Sequence, residues 1–265
     1  MYSSFQLIKK YLHYFFTASN SKGHGIHSPF VFDFTIHVLN DKKKYSCYQN
    51  IESLRRDLLH NDSIIEVEDF GAGSATIPFK KRKINAIAKS SLKNKKFAQL
   101  LFRMVQYYQP QTILEIGTSL GITTCYLASA NKNATVYTFE GSENIATIAE
   151  ENFEKANLEN IHLIKGNFDQ TLLPALQSIE KIDFAFIDGN HRKAATLSYF
   201  FSLLKKSTSQ SVFIFDDIHW SAEMEEAWKL IQQHDSVTLI IDLFFIGIVF
   251  FNPGFKVKQH FSIRF

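Results

Sequence analysis

From Ile113 onward, short apolar runs alternate with helical patterns, and this alternation constrains the fold more than any other feature of the sequence. Five such runs are each followed by a helical pattern, and they lie at residues 112–117, 135–140, 161–166, 182–188 and 211–217. Continuous apolar strands that alternate with helices predict a parallel sheet covered on both faces. The sequence therefore predicts an α/β fold.

The end of this region departs from a plain dinucleotide-binding pattern. Two apolar runs, Val237–Asp242 and Phe245–Phe251, follow each other with almost nothing between them. Because the connection is too short for a crossover helix, we expect the last strand to run antiparallel to its neighbour. A plain dinucleotide-binding fold does not end in this way.

The first part of the chain shows a different pattern, of helices and loops. Four helices are expected, at Ser3–Phe16, Ser28–Leu39, Ile51–Leu59 and Leu92–Tyr108. Proline directly after Ser28 is typical of the first position of a helix. We predict a helical N-terminal extension over residues 1–95 that packs on or covers a main domain over residues 96–265.

Hydropathy gives no sign of a membrane protein. No apolar run reaches the roughly 18 residues that span a bilayer, and the longest, Ile240–Phe251, is interrupted by Asp242. Residues 1–16 carry Lys9 and Lys10 and lack the cleavage site of a signal peptide. The two cysteines form no disulfide framework. We expect a cytoplasmic protein without a membrane partner.

Positive charge is concentrated in one segment, although the formal net charge is only +3. No acidic residue lies between Phe70 and Leu114, and eight of the nine Lys and Arg residues there fall in Lys80–Lys96. Such a run fits a nucleic-acid or phosphate contact, and it also fits a solvated basic helix face.

The loop after the first strand contains two glycines, Gly117 and Gly121, with Thr118 and Ser119 between them. This spacing is not the G-x-G-x-x-G of a pyrophosphate site. Glu115 precedes the first glycine by two residues, and its carboxylate would repel a pyrophosphate. The same carboxylate suits the cationic amino end of an amino-acid ligand.

Two further strand ends carry residues that suit a nucleoside. The second strand ends in Glu140-Gly141, where a carboxylate accepts hydrogen bonds from ribose hydroxyls. The third is followed by Asn167-Phe168, which offer a polar contact and an apolar face to an adenine. Each residue alone also fits a turn, a surface acid or a loop aromatic.

With these motifs, residues 113–217 resemble a class I methyltransferase dependent on S-adenosyl-L-methionine (SAM). They are most similar to the metal-dependent branch of catechol and caffeoyl-CoA O-methyltransferases and to a related group with an Asp-Gly-x-His motif, here Asp188–His191. The resemblance covers about residues 97–251 and implies a seven-stranded sheet with an antiparallel last strand. Residues 24–30 resemble a bacterial subgroup of unknown substrate.

A second stretch, Asp69–Ser74, also looks like a methyltransferase cofactor loop. It is followed by a basic run and not by a helix and an acid-terminated strand. We interpret it as a loop of the extension.

Three carboxylates end the fourth and fifth strands, and we expect Asp188, Asp216 and Asp217 to converge. A divalent cation such as Mg²⁺ would relieve their repulsion, although acids at strand ends also cap helices or bind ribose. The resemblance places these three acids at the metal-ligand positions of the catechol-type enzymes. It places His191 where those enzymes have their lysine base, and this departure leaves the base, and hence the substrate class, open.

The predicted activity is therefore SAM-dependent O-methylation of a hydroxylated small molecule, assisted by a metal, with Asp188 and His191 as catalytic residues. The alternative is an RNA or other macromolecular methyltransferase that docks through Lys80–Lys96. A nicotinamide oxidoreductase and an inactive interaction module are further alternatives, which the glycine spacing and the intact acids disfavour. Homodimers are common in the resembling family, but no residue here indicates one. His24 and His27 fit a helix cap or lid better than a zinc site.

Overall fold

The computed structural model describes residues 1–21, 26–68 and 79–265. The chain divides into two units, each with its own internal contacts. The terminal unit comprises Met1–Asp41 and Ile179–Phe265, and the central unit comprises Lys42–Ser178. The residues of the predicted extension contribute to both units, and the assignment of domains to residues 1–95 and 96–265 stays a prediction.

Three parallel strands form the sheet of the central unit, in the order β3 (Thr112–Ile116), β4 (Thr135–Glu140) and β5 (Ile161–Lys165). Helix α6 (Ile122–Ala130) connects the first two, and α7 (Glu143–Lys155) connects the last two. Ile113, Leu114 and Ile116 are fully buried. The continuous apolar character of β3 therefore reflects burial on both faces, as predicted.

The remaining elements of the central unit are α3 (Cys47–His60), β1 (Ile64–Glu68), β2 (Phe79–Lys83), α4 (Ile84–Ser91), α5 (Lys95–Tyr108) and α8 (Phe168–Ser178). The antiparallel pair β1–β2 was missed, because only Val67 of β1 is buried and the strand has almost no apolar face. Helix α5 begins later than predicted, since the Asn94 side chain accepts a hydrogen bond from the Lys96 N–H at 2.9 Å.

Five strands form the sheet of the terminal unit: β6 (Ile182–Ile187), β7 (Ser207–Asp216), β8 (Leu239–Asp242), β9 (Ile246–Phe250) and β10 (Gln259–Ser262). Their order is β10, β8, β9, β7, β6. Strand β9 is antiparallel to both β7 and β8, which confirms the predicted hairpin. Strand β10 pairs with β8 and was not predicted, because it is short and only partly buried.

The helices of the terminal unit are α1 (Ser4–Thr17), α2 (Pro29–Phe34), α9 (Lys193–Leu204) and α10 (Ala222–Gln233), with a π-helical turn at Thr35–Leu39. A capping box starts α1, since the Ser3 and Gln6 side chains each accept a hydrogen bond from the backbone N–H of the other. None of the helices that the structure describes is long and apolar enough to cross a bilayer.

Two predicted boundaries differ from the structure for local reasons. Helix α8 begins at Phe168, well before the predicted Pro174, because the Asn167 carboxamide accepts the Asp169 N–H at 3.0 Å and starts the helix earlier. Strand β7 begins at Ser207 and not at Ser211, since its first residues are polar and carry no apolar signal.

Candidate functional site

The glycine loop joins β3 to α6 and is fastened to the neighbouring strand β4. The N–H groups of Gly117 and Thr118 both donate to the carbonyl of Phe139, at 3.1 and 3.0 Å. Gly117 and Ser119 have positive φ angles of 102° and 49°. The loop thus takes the tight turn at the carboxyl end of β3 that the sequence predicted.

Gly121 is required at the start of α6 for two independent reasons. Its φ of 78° lies in the left-handed region, and a Cβ built there would lie 2.6 Å from Cε1 of Phe153 on α7. Only glycine permits this close approach of the two helices.

Glu115 lies beneath the loop, on β3, with no solvent exposure. Its Oε2 accepts hydrogen bonds from the hydroxyls of Thr124 at 2.5 Å and Thr138 at 2.7 Å. Its buried Oε1 has no hydrogen-bond partner among residues 1–21, 26–68 and 79–265. Burial raises the pKa of Glu115 to about 7, although the two threonine hydroxyls oppose the shift. The carboxyl therefore has unused acceptor capacity.

Glu140, at the end of β4, binds the backbone of the loop. Its Oε2 accepts the Ser119 N–H at 2.8 Å, and its Oε1 accepts the Ser142 N–H at 3.0 Å. Burial raises the pKa of Glu140, and the N–H groups of Ser142, Ser119 and Gly141 partly offset the shift. Glu140, which the sequence predicts to bind the ribose, therefore also fixes the backbone at Ser119 and Ser142.

The third predicted contact, Asn167-Phe168, lies at the start of α8. The Asn167 carboxamide caps the helix, and Phe168 is half-buried. One residue near the loop was missed by the sequence analysis. The Ser91 hydroxyl, at the end of α4, lies 2.8 Å from the Ser119 hydroxyl, and no motif in the sequence indicates this contact.

In the terminal unit, the ends of β6 and β7 bring Asp188, His191 and Asp216 together. One potential ligand atom from each lies within 4.8 Å of the other two, and His191 Nε2 lies 3.5 Å from Asp188 Oδ1. Oxygen and imidazole ligands at such separations suit a divalent cation. The predicted convergence of Asp188 and Asp216 is therefore present, with His191 as its third member.

Asp217 is not a member of this group among the described residues, and its assignment as a metal ligand stays a prediction. Its φ of 52° turns the chain sharply after β7. Asp217 instead lines a cavity of about 290 Å³ with nearly apolar walls. The other lining residues come from α1 and from the segments after β7 and β8, and they are Leu7, Ile8, Tyr11, Leu12, His219, Trp220, Phe244 and Phe245.

His219 joins two acids beside this cavity. Its Nδ1 lies 3.0 Å from Glu225 and its Nε2 lies 3.1 Å from Asp242. Burial disfavours the charged imidazole, but the hydrogen bonds and charges of Asp242 and Glu225 outweigh burial and raise the pKa of His219. Asp242, at the hairpin turn as predicted, also accepts the Phe244 N–H at 2.8 Å.

The basic segment Lys80–Lys96 does not form one helix face, because it runs through β2, α4 and the start of α5. Lys83 lies 3.4 Å from Asp62, and Lys81 lies 3.9 Å from Glu66. These acids reduce the local positive charge on which the nucleic-acid alternative depends.

Two other sequence features lie wholly or partly outside the described residues. The stretch Asp69–Ser74 is one, and His24 is the other. His27 is exposed, and the Ser28 side chain makes no capping hydrogen bond at the start of α2.

Comparison with known proteins finds similarity to methyltransferases. A family profile described as "Methyltransferase domain" matches residues 114–218, a range that holds both the glycine loop and the Asp188–Asp216 group. A curated catechol O-methyltransferase from Niastella koreensis is 31% identical over 126 residues, which are 46% of this chain and 55% of the relative. The matched segment thus spans about half the length of that relative.

Solved structures agree on the fold. An O-methyltransferase from Bacillus cereus in complex with S-adenosylhomocysteine (SAH) has a TM-score of 0.54 at 24% identity. The match covers 79% of this chain and 92% of that chain. One from Streptomyces achromogenes in complex with SAM has a TM-score of 0.57 at 17% identity, covering 84% and 95%. Residues 114–218 thus match a methyltransferase domain, and the chain shares the fold of these solved O-methyltransferases.

Proposed function

We propose that this protein is a SAM-dependent O-methyltransferase that acts on a hydroxylated small molecule. The observation that carries the proposal is the match of residues 114–218 to a methyltransferase domain. The catechol O-methyltransferase similarity supports a hydroxyl as the acceptor group, since it extends over nearly half of the chain.

The central unit offers groups that fit the cofactor. The buried Oε1 of Glu115 lacks a hydrogen-bond partner within the described part of the chain, and an ammonium group of an amino-acid ligand would satisfy it. Glu140 is the candidate for the ribose hydroxyls, with Gly117, Thr118, Ser119, Gly121 and Gly141 as the loop around it. Asn167 and Phe168 are the candidates for the adenine. SAM supplies an electrophilic methyl group on a sulfonium when bound.

The terminal unit offers a candidate divalent-cation site. Asp188 and Asp216 would hold the cation, and His191 either completes the ligand set or accepts the proton of the acceptor hydroxyl. A bound Mg²⁺ supplies a positive charge that favours the ionised form of a hydroxyl. Asp217 remains a candidate ligand through its position next to Asp216.

The 290 Å³ cavity is the candidate site for the body of the acceptor. Its walls are aromatic and aliphatic, and Asp217 and His219 provide its polar groups. Pockets of this kind bind apolar bodies and use a few polar groups to orient them. An acceptor with an apolar body and one or two hydroxyls fits these walls.

A transfer assay tests the proposal. The purified chain is incubated with SAM, Mg²⁺ and a panel of catechols and related hydroxylated compounds, and product is detected by mass spectrometry as the gain of one methyl group. We expect transfer to at least one acceptor and its loss with EDTA. Transfer that EDTA leaves unchanged would contradict the role of the metal.

Two substitutions separate the roles of the two groups. Asp188→Asn should reduce transfer at least about 100-fold while leaving SAH affinity within about twofold, because a ligand to the cation is lost. Glu115→Gln should instead weaken SAH binding. The matched control is Asp183→Asn, the same change in the strand that precedes Asp188, where the carboxylate pairs with Lys181 at 3.2 Å. Equal losses in the two Asp variants would contradict the assignment of Asp188.

A further inference from the structure

Helix α1 carries an exposed apolar face, of which the proposed catalytic function uses only the two residues that line the cavity, Ile8 and Leu12. Phe5 and Phe16 are 77% and 79% exposed, although they are aromatic. Ile8, Leu12 and Phe15 are exposed beside them. At 3.6 residues per turn these five side chains fall within about 100° of the helix circumference. We call them the α1 apolar face.

The opposite face of α1 already makes the contacts that fix the helix to the terminal unit. Tyr14 is buried and its hydroxyl donates to the carbonyl of Ile263. The Lys10 ammonium pairs with Glu225 at 2.9 Å, and the Tyr11 ring packs against Phe244 at 5.1 Å between centroids. Because these contacts fix the opposite face of α1 to the terminal unit, the α1 apolar face points to the solvent.

Positive charge flanks the α1 apolar face. The Arg264 guanidinium lies over the Phe15 ring at 5.3 Å from its centroid, and exposed Lys9 follows Ile8 on the other side. The sequence has no acidic residue before Asp33, while it has Lys9, Lys10 and Lys22 there. An apolar stripe bordered by cations, in a segment free of acids, complements an anionic lipid surface.

We propose that α1 lies in the interface of an anionic membrane and docks the protein there as a peripheral protein. A helix of 14 residues is too short to span a bilayer, which takes about 20, but its length suits binding parallel to the surface. Ile8 and Leu12 belong both to the α1 apolar face and to the wall of the 290 Å³ cavity. The docked face therefore borders the cavity mouth.

Vesicle flotation of the full chain tests the proposal. The probes are vesicles of phosphatidylcholine alone and of phosphatidylcholine with 30 mol% phosphatidylglycerol, a composition of roughly the anionic density that attracts basic segments. We expect binding to the anionic vesicles at least about tenfold stronger than to the neutral ones, and a marked weakening at high salt. No binding to anionic vesicles would overturn the proposal.

Substitutions locate the contact. The double variant Phe5→Ser, Phe16→Ser should lose at least about tenfold in vesicle affinity, and Lys9→Gln about fivefold. The matched control is Leu173→Ser with Leu230→Ser, two exposed leucines on α8 and α10, which should bind as the unchanged protein does. A control that loses as much affinity would contradict a role specific to α1.

The same variants separate membrane docking from self-association and from a general loss of the folded, SAH-binding state. If sedimentation shows a dimer that the Phe5, Phe16 variant dissociates, and vesicles do not bind, the face belongs to a second copy and the proposal fails. Thermal stabilisation by SAH should be equal in all variants, because none of the substituted residues lies in the glycine loop. A variant that loses vesicle binding but still binds SAH has therefore lost the membrane contact and not its fold.

Discussion

The two carboxyl oxygens of buried Glu115 differ in their hydrogen bonding. Two threonine hydroxyls satisfy its Oε2, while its Oε1 has no partner in the described residues. An orphaned buried carboxyl oxygen costs free energy in the ligand-free protein. A ligand ammonium group that bonded to Oε1 would remove this cost.

Replacement of this carboxyl should change the dependence of stability on pH. A carboxyl whose pKa is raised in the folded state stabilises the fold below its unfolded pKa, and this contribution disappears as pH rises through the folded pKa of about 7. The free energy of unfolding of Glu115→Gln, relative to that of the unchanged protein, should therefore rise by about 2–3 kcal/mol from pH 5 to pH 8. Urea unfolding at both pH values measures the difference, and parallel pH profiles would contradict the raised pKa.

For single residues, the sequence predicted part of the candidate site from the residue types at the ends of strands. Asp188 and Asp216 end neighbouring strands of the terminal unit, and parallel strands bring such ends together. The place of Asp217 in the wall of the apolar cavity was not predictable, because no local signal in the sequence marks the positive φ at this non-glycine residue. The Ser91–Ser119 contact joins segments 28 residues apart and has no local signal.

Helix α6 and the loop before it depend on the absence of a side chain at Gly121. Gly121→Ala should destabilise the fold by about 1–3 kcal/mol, because it adds strain at positive φ and a clash with Phe153. Chemical denaturation measures this loss.

A double-mutant cycle isolates the clash from the strain. Phe153→Leu removes the ring atoms nearest Gly121, so the cost of Gly121→Ala should be smaller in that background than alone. Additive costs would mean that the two helices do not approach as closely as the structure shows.

Elements with strong apolar periodicity were predicted well, and marginal ones were not. Strands β3, β6 and β9 are buried along most of their length and β4 along half of it, so their apolar runs marked them. The hairpin β1–β2 and strand β10 have little buried surface and left no such signal. Strand β10 also depends on pairing with β8, which is not its neighbour in the sequence, and a local pattern does not encode such a pairing.

On the scale of the whole molecule, each unit carries its own group of candidate site residues. The central unit has the glycine loop with Glu115 and Glu140, and the terminal unit has the Asp188 group and the apolar cavity. The α/β class and the antiparallel β9 followed from the alternation of apolar runs and from one short connection. The division into two units did not, because residues 1–41 pair with the C-terminal part of the chain.

Ligand-dependent thermal stability tests the central claim, which is that the glycine loop binds SAM. The purified chain is heated with SAH, with NAD and without ligand. At about 100 times its Kd, a ligand that binds only the folded state adds about 2.7 kcal/mol, which for a chain of this size raises Tm by roughly 5–10 °C. We predict this rise with SAH and none with NAD, and a rise with NAD but not with SAH would contradict the account.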